Sequence, residues 1–182
     1  MRFRAAPAAR HVMQLHVQPI EPSRPDPPSA EDLEILLAQA RLLKRAAEAG
    51  QATPLLRGRH IGLLCESGQA VDALRFRRAA EDLGAHVAHV RPNLSEQGEA
   101  RTLLETARLL GRLYDAVECQ GLPSGLVRRL GGVAGVPVYD GVACANHPTA
   151  KLAGLIGDAK PDEDNRHWVV QAVLVGSIGR GQ

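Results

Sequence analysis

Aromatic residues are scarce in this 182-residue sequence, and so is an excess of charge of either sign. Phenylalanine, tryptophan and tyrosine together make up 3% of the residues, and 22 basic against 20 acidic residues give a formal net charge of +2. Nucleic-acid-binding proteins usually offer a basic surface or aromatic rings on which bases stack. We therefore expect no nucleic acid among the partners of this protein.

Long hydrophobic runs and cysteines are also few. No apolar run approaches the roughly 18 residues that a transmembrane helix requires, and the N-terminus has no apolar stretch of the secretory type. The three cysteines are widely spaced and odd in number, which argues against a set of disulfide bonds and fits a reducing compartment. The sequence therefore predicts a soluble, cytoplasmic protein with no membrane partner.

The distribution of proline divides the chain. Residues 19–29 contain five prolines in eleven positions, a density that denies the backbone both hydrogen-bond donors and helical freedom. We predict an irregular Pro-rich segment over 1–28, an α/β domain over 29–157 and a C-terminal extension over 158–182. The length fits one such domain and is too short for two ordinary ones.

Short apolar runs alternate with longer amphipathic ones after the Pro-rich segment. Strands are expected near 60–65, 85–90, 116–119 and 136–140; helices are expected between Ser29 and Gly50, near 71–83, 95–114 and 124–130, and from 147 to 157. This alternation predicts an α/β fold with a parallel four-stranded sheet flanked by helices, a Rossmann-like three-layer αβα arrangement in a single domain. The β-branched run over 168–175 is typical of one further strand.

Cys65, Cys119 and Cys144 each lie at or just beyond the carboxyl end of a predicted strand, and His147 follows the fourth strand. Open α/β sheets bind ligands in the crevice at this edge. Three thiols and an imidazole could hold zinc, or a low-pKa thiol beside His147 could be a nucleophile. No Cys-x-x-Cys spacing supports the metal, and free cysteine is commonly a small buried residue, so we assign no metal and no cofactor.

Five collinear segments carry a family resemblance: "LLRGRHIGLL", "RRAAEDLGAHVAHV", "TARLLGRLYDAVE", "AGVPVYDGV" and "HPTAKLAGLI". Together they resemble the N-terminal, carbamoyl-phosphate-binding domain of the ornithine and aspartate carbamoyltransferases, and the ornithine type more closely. The resemblance extends from about Ser29 to about Gly157.

The resemblance implies a Ser-x-Arg-Thr-Arg loop after the first strand, where backbone N–H groups, a helix N-terminus and two guanidinium groups bind the phosphate. An ungapped alignment places five other residues on these positions: Gln69, Ala70, Val71, Asp72 and Ala73. Both arginines are replaced. We expect the Asp72 carboxylate to take the helix-dipole and N-cap role of the phosphate and to repel a dianion.

A third basic contact of the family lies in a Tyr-Arg-Gly sequence, which reads Cys119, Gln120 and Gly121 in this chain. Each charge-assisted hydrogen bond contributes about 1.5 to 3 kcal/mol, so the loss of three arginines removes on the order of 5 to 9 kcal/mol of binding. The sequence therefore predicts at most weak binding of carbamoyl phosphate or another small anion.

The His-Pro-x-Gln motif, which polarises the carbamoyl carbonyl in the family, survives as His147, Pro148 and Thr149 but ends in Ala150. The resemblance implies that His147 is the remaining catalytic candidate and that Thr149 occupies a substrate-binding position. The alternative interpretation is that His147 caps the following helix.

Arg75, Arg77 and Arg78 follow the altered loop and could supply a displaced contact to an anion. A solvated helix face is the favoured interpretation, because Glu81 and Asp82 are available as ion-pair partners.

Together these observations predict a stand-alone, catalytically inactive member of the family. The phosphate-binding arginines are absent, and the roughly 25 residues after 157 are too few for a second, co-substrate-binding domain. We expect it to act by binding or oligomerisation, as a homotrimer or with a full-length carbamoyltransferase. The alternatives are residual carbamoyl transfer with a partner chain and a decayed fragment.

Overall fold

Helices and strands alternate along the chain, as the sequence predicts. The computed structural model describes residues 29–94, 100–157 and 162–178. The predicted Pro-rich segment and the first residues of the predicted 95–114 helix lie outside these ranges. The elements are, in order, α1 (Ala30–Glu48), β1 (His60–Leu64), α2 (Val71–Asp82), β2 (His86–Val90), α3 (Ala100–Leu113), β3 (Ala116–Cys119), α4 (Ser124–Ala134), β4 (Val138–Asp140), a 3₁₀ helix (Pro148–Leu155) and α5 (Asp162–Ile178). Within the described ranges, no helix is long and apolar enough to span a bilayer.

The four strands form one parallel sheet in the order β2-β1-β3-β4, which confirms the predicted four-stranded sheet. After β1 the chain moves outward to β2 and then returns to the other side of β1 to form β3. The strand order therefore reverses between β1 and β3. Ligands of open α/β sheets bind outside the carboxyl ends of the strands at such a switch point.

Helices cover both faces of the sheet. On one face α2 and α5 pack against the sheet, and on the other α3 and α4 do so. Strand β1 packs against both helix layers, because successive side chains of a strand point to opposite faces. Leu63 lies in the core with α2 and α5, and its neighbour Leu64 lies in the core with α3 and α4. Helix α1 and the 3₁₀ helix form a third apolar cluster on the outer side of α5.

Ser29 caps the N-terminus of α1. Ser29 Oγ accepts a hydrogen bond from the Asp32 N–H at 3.1 Å, and the Asp32 carboxylate accepts one from the Ser29 N–H at 2.9 Å. This reciprocal pair satisfies two N–H groups that have no partner within the helix.

The prediction of a strand over 168–175 is wrong, because these residues belong to the 17-residue helix α5. One side of α5 contributes Val170 and Leu174 to the core against the sheet, and another contributes Val169 and Ala172 to the cluster with α1. A helix buried on several sides is apolar all round, so its sequence resembles that of a buried strand. The packing of α5 against the sheet on one side and α1 on the other makes this segment a helix rather than a strand.

Polar side chains fix α5 against its neighbours. Gln171 Nε2 donates to the Ala79 carbonyl of α2 at 3.1 Å, and Lys44 Nζ of α1 donates to Asn165 Oδ1 at 3.2 Å. All three side chains are buried. Because buried polar groups are costly without hydrogen bonds, these bonds select one orientation of α5.

Candidate functional site

The carboxyl edge of the sheet brings together residues from four separate parts of the chain. We call this place the crevice and define it by Asp72 and Arg75 of α2, Glu118 and Gln120 at the end of β3, Ala143, Cys144 and His147 after β4, and Arg166 of α5. Hydrogen bonds and mutual electrostatic effects connect these residues.

Helix α2 begins differently from the expectation. Its N-cap residue is Ala70, which offers no side-chain hydrogen bond, and Asp72 lies in the first turn. The Asp72 carboxylate accepts a hydrogen bond from Arg75 Nη1 at 2.5 Å. The prediction that Asp72 acts as the N-cap is therefore wrong, although its charge does lie near the positive end of the helix. The carboxylate takes a guanidinium of its own helix instead.

The other residues aligned with the phosphate loop divide between solvent and core. Gln69 and Ala70 are exposed, and Val71 is 68% exposed. Ala73 is fully buried in the core between α2 and the sheet. The loop thus presents small, apolar or amide side chains to solvent.

Two guanidinium groups converge on one backbone oxygen in the crevice. The Ala143 carbonyl accepts hydrogen bonds from Arg75 Nη1 at 3.0 Å and from Arg166 Nη2 at 2.6 Å. The side chain of Arg75 is only 10% exposed, so its interpretation as part of a solvated face is wrong. Arg78 does fit that interpretation, since it is 80% exposed and lies 4.0 Å from Asp82.

Glu118 organises the loop after β4 from beneath. Its side chain is completely buried, and its two oxygens accept hydrogen bonds from Gln120 Nε2 at 3.0 Å and from the Val142 N–H at 3.2 Å. Burial raises the pKa of Glu118 to about 8, against the opposing effect of the hydrogen bonds from Gln120, Val142 and Ala143. Glu118 thereby fixes the backbone at Val142, next to the Ala143 carbonyl that accepts hydrogen bonds from both guanidinium groups.

Gln120 stands at the position aligned with the third arginine of the family. It is buried, and its amide nitrogen is used in the bond to Glu118. In this structure Gln120 donates a hydrogen bond to a buried carboxyl group, so neither buried side chain is left without a polar partner.

His147 caps the helix expected over 147–157, which forms as the 3₁₀ helix Pro148–Leu155. Its Nδ1 accepts a hydrogen bond from the Thr149 N–H at 3.3 Å and lies 2.8 Å from Thr149 Oγ1, with Pro148 in the first turn. Because a backbone N–H only donates, Nδ1 is the unprotonated nitrogen and Nε2 carries the proton of the neutral ring. Burial, aided by Arg166, lowers the pKa of His147, while Asp140 opposes this.

The three cysteines lie at the predicted edge but none has an activated thiol. Burial raises the pKa of Cys65 and of Cys119, and burial together with the Asp72 carboxylate raises the pKa of Cys144 to about 12. A reactive cysteine requires the opposite shift. Among the described residues, no group of three or more histidine, cysteine or acidic side chains is placed to hold a metal ion.

Sequence reasoning missed two residues of the crevice. Glu118 was part of a strand motif, and its burial follows from the central position of β3 in the sheet. Arg166 belongs to a segment interpreted only as an extension, and it enters the crevice because α5 packs beside α2. A charged residue in an otherwise apolar run is the signal that could have indicated each of them.

Comparisons with known proteins agree on one family. Residues 25–157 match the family described as "Aspartate/ornithine carbamoyltransferase, carbamoyl-P binding domain". The ornithine carbamoyltransferase of Cutibacterium acnes is 39% identical over 125 residues, which cover 69% of this chain and 37% of that protein. The catabolic ornithine carbamoyltransferase of Burkholderia mallei is 39% identical over 146 residues, which cover 80% of this chain and 44% of that protein. This chain thus spans less than half the length of these relatives.

Solved structures show the same fold. Ornithine carbamoyltransferase from Gloeobacter violaceus superimposes with a TM-score of 0.53 at 27% identity, over 73% of this chain and 44% of that one. The enzyme from Pyrococcus furiosus gives a TM-score of 0.59 at 24% identity, over 70% of this chain and 41% of that one. The second likeness supports the fold alone.

Proposed function

This chain belongs to the aspartate/ornithine carbamoyltransferase family through its carbamoyl-phosphate-binding domain, and on that premise we propose that its crevice no longer binds carbamoyl phosphate as the family does. The domain then acts by binding or by self-association, and it does not transfer carbamoyl groups on its own. One observation carries this proposal. Where the family resemblance implies a phosphate loop with two arginines, Asp72 is paired with Arg75.

Electrostatics at the start of α2 supports the loss of phosphate binding. A phosphate dianion at this helix end would lie beside the Asp72 carboxylate, and like charges at such short range disfavour binding. Arg75 is used in two internal hydrogen bonds, to Asp72 and to the Ala143 carbonyl. A ligand that recruits Arg75 has to replace both.

The direct test is a calorimetric titration of the protein with carbamoyl phosphate, with inorganic phosphate as the control for general anion binding. We expect no heat from carbamoyl phosphate beyond that of phosphate. Saturable binding of carbamoyl phosphate well below about 1 mM, which corresponds to more than about 4 kcal/mol, would contradict the proposal if inorganic phosphate does not bind equally well.

Self-association is the mode of action that the exposed apolar residues of α2 support. Val71 is 68% and Leu74 is 43% exposed beside the crevice. Light scattering on the purified protein, alone and mixed with an ornithine carbamoyltransferase, measures the assembly. We expect a particle larger than one chain that the Val71→Ser/Leu74→Ser variant converts to a monomer. A monomeric wild type that binds no carbamoyltransferase would contradict this mode.

A second candidate function is residual carbamoyl transfer in complex with another chain. The observation that favours it is the presence in the crevice of His147, with a lowered pKa, and of the guanidinium groups of Arg75 and Arg166. A neutral imidazole and two cations suit the polarisation of a carbonyl group. This candidate predicts turnover in a mixture with a carbamoyltransferase and its loss in His147→Ala. Unchanged turnover in that variant would reject it.

A further inference from the structure

Arg77 differs from the two arginines on either side of it in helix α2. Arg75 pairs with Asp72, and Arg78 lies near Asp82. Arg77 is half-buried, and its Nε atom is buried without a hydrogen-bond partner in the part of the chain that the structure describes. Buried donors without a partner are rare in proteins, because the lost hydration is not replaced. Each such donor therefore requires an explanation.

The guanidinium of Arg77 lies over Gly68, together with the ring of His89. If Gly68 had a Cβ atom, it would lie 3.2 Å from Arg77 Nη2 and 3.2 Å from His89 Nδ1. The two side chains therefore meet above a glycine that is itself buried. Glycine allows this approach, since any other residue would push against both groups.

A hydrogen bond through Nε2 fixes the ring of His89, and the other ring nitrogen, Nδ1, faces Gly68. Its Nε2 is 2.8 Å from the Cys65 carbonyl oxygen. A carbonyl oxygen only accepts, so Nε2 carries a proton and donates this bond. Nδ1, the nitrogen near Gly68, is then the one that gains a proton in the imidazolium form. His89 is exposed, so solvent reaches this side of the pair.

We propose that Arg77 and His89 form a binding site for a small oxyanion, a phosphate ion or the phosphate group of a larger ligand, on the β2 side of the loop between β1 and α2. The planar guanidinium offers several donors in one plane, and Nδ1 of His89 offers another when the ring is protonated. Burial raises the pKa of the Cys65 thiol, and the charge of Arg77 opposes this, which is consistent with a position of Arg77 near this loop. The site differs from the crevice, whose arginines are used internally.

Glu66 is the acidic residue whose competition has to be considered. It acts on the Cys65 thiol in the opposite sense from Arg77, so it lies in the same neighbourhood. Glu66 is exposed, and no ion pair between it and Arg77 is present among the described residues. Glu66→Gln is therefore expected to strengthen binding of an oxyanion by about twofold, by removal of a like charge.

The test is an NMR and calorimetric titration of the full chain with inorganic phosphate. In the wild type, the Gly68 amide and the His89 ring are expected to shift together as phosphate saturates the site. Arg77→Gln should weaken binding about tenfold or more, because a charge-assisted bidentate contact is lost. Arg78→Gln removes the same charge from the same helix and should change affinity by less than about twofold.

Three results would overturn the proposal. They are equal weakening by Arg77→Gln and Arg78→Gln, shifts confined to the amides of residues 71–73, and no saturable phosphate binding in the wild type. If Arg77→Gln is unfolded by circular dichroism, Arg77→Lys replaces it; this variant keeps the charge without the planar fork and should still weaken binding severalfold. Equal affinity of wild type and a folded Arg77→Lys would also contradict a bidentate site.

Two further titrations identify the source of the oxyanion and separate this site from the crevice. Phenyl phosphate that binds more tightly than inorganic phosphate indicates a phosphate group on a larger ligand, whereas weaker binding indicates the free ion. Carbamoyl phosphate is then titrated into Arg77→Gln. Binding that survives in this variant belongs to the crevice and contradicts the proposed function, while binding that is lost belongs to the Arg77 site.

Discussion

The two ends of β3 carry carboxyl groups in opposite electrostatic states. Asp115, just before the strand, accepts hydrogen bonds from Arg59 Nη1 at 2.9 Å and from the His60 N–H at 2.8 Å. Partial burial alone would raise the pKa of Asp115, but these two donors and the charge of Arg59 lower it. Glu118, three residues further, has no cation bonded to it within the described ranges, and burial raises its pKa to about 8.

The two edges of the sheet therefore differ in role: the ion pair at the amino edge stabilises the fold, and the buried carboxyl group at the carboxyl edge positions the residues of the candidate site. At the amino edge, an ionised carboxylate joins β1 to β3 with a cation and a backbone donor. At the carboxyl edge, a buried carboxyl group instead bonds neutral donors that position the loop after β4. Buried titratable groups of this kind are unfavourable for stability and typical of functional sites. The carboxyl edge therefore has the buried titratable groups that are typical of functional sites, although its polar side chains form hydrogen bonds with one another and with the backbone.

The largest expected effect comes from removing the Glu118 side chain. Glu118→Ala leaves the Gln120 amide and the Val142 N–H without their acceptor and opens a void, so the free energy of unfolding should fall by about 3 kcal/mol. Chemical denaturation measures this. Glu118→Gln keeps an acceptor oxygen and should lose much less. Equal stability of the alanine variant and the wild type would show that Glu118 does not hold the loop.

The pH dependence of stability should differ between the two carboxyl groups. Folded Glu118 keeps its proton to about pH 8, whereas the unfolded chain releases it near its ordinary value of 4.5. Between these values the folded state binds more protons, so Glu118 lowers the free energy of unfolding as pH rises, by at most about 1.4 kcal/mol per pH unit. Its contribution is fully present below the unfolded value.

Subtracting the free energy of unfolding of Glu118→Gln from that of the wild type at pH 5, 6, 7 and 8 isolates the contribution of Glu118, because all other titratable groups are the same in both proteins. The difference should decline steadily over this range. Asp115 has the opposite sign, since its lowered pKa stabilises the fold above 3.8 and the stabilisation is lost as pH falls through the folded value. Parallel curves for the two proteins between pH 5 and 8 would place the Glu118 pKa near its ordinary value.

A smaller effect is expected at the amino edge. Asp115→Asn removes the charge that pairs with Arg59 but keeps an oxygen for the His60 N–H, and both charged side chains are partly exposed. We expect a loss of about 1 kcal/mol or less in the free energy of unfolding. Thermal unfolding of Asp115→Asn beside Arg59→Gln measures it. A loss as large as that of Glu118→Ala would remove the distinction between the two edges.

The sequence predicts the framework of this fold better than it predicts the crevice. Ser29 with Asp32, and the apolar runs of β1 and β3, are local signals, and the elements follow them. The local sequence does not predict helix α5, because its structure depends on packing against both the sheet layer and α1. In the same way the pairing of Asp72 with Arg75, the reach of Arg166 and the burial of Glu118 depend on contacts between distant segments. Residue types alone therefore predict a candidate site at the carboxyl edge of the sheet but not which groups bond each other.

We propose that the start of α2 does not hold a phosphate because Val71 and Ala73 stand where the family resemblance implies arginines, and Asp72 adds a carboxylate between them. The most direct measurement is calorimetric titration of carbamoyl phosphate into Val71→Arg/Asp72→Thr, which adds a guanidinium at an exposed position and removes the carboxylate. Leu113→Arg/Glu105→Gln on α3 makes the same change in net charge far from the crevice. We expect that the first variant gains saturable binding of carbamoyl phosphate beyond its binding of inorganic phosphate, and that the wild type and the α3 variant do not. Wild-type binding of carbamoyl phosphate that is much tighter than binding of inorganic phosphate, and that substitution of Asp72 leaves unchanged, would contradict the proposal.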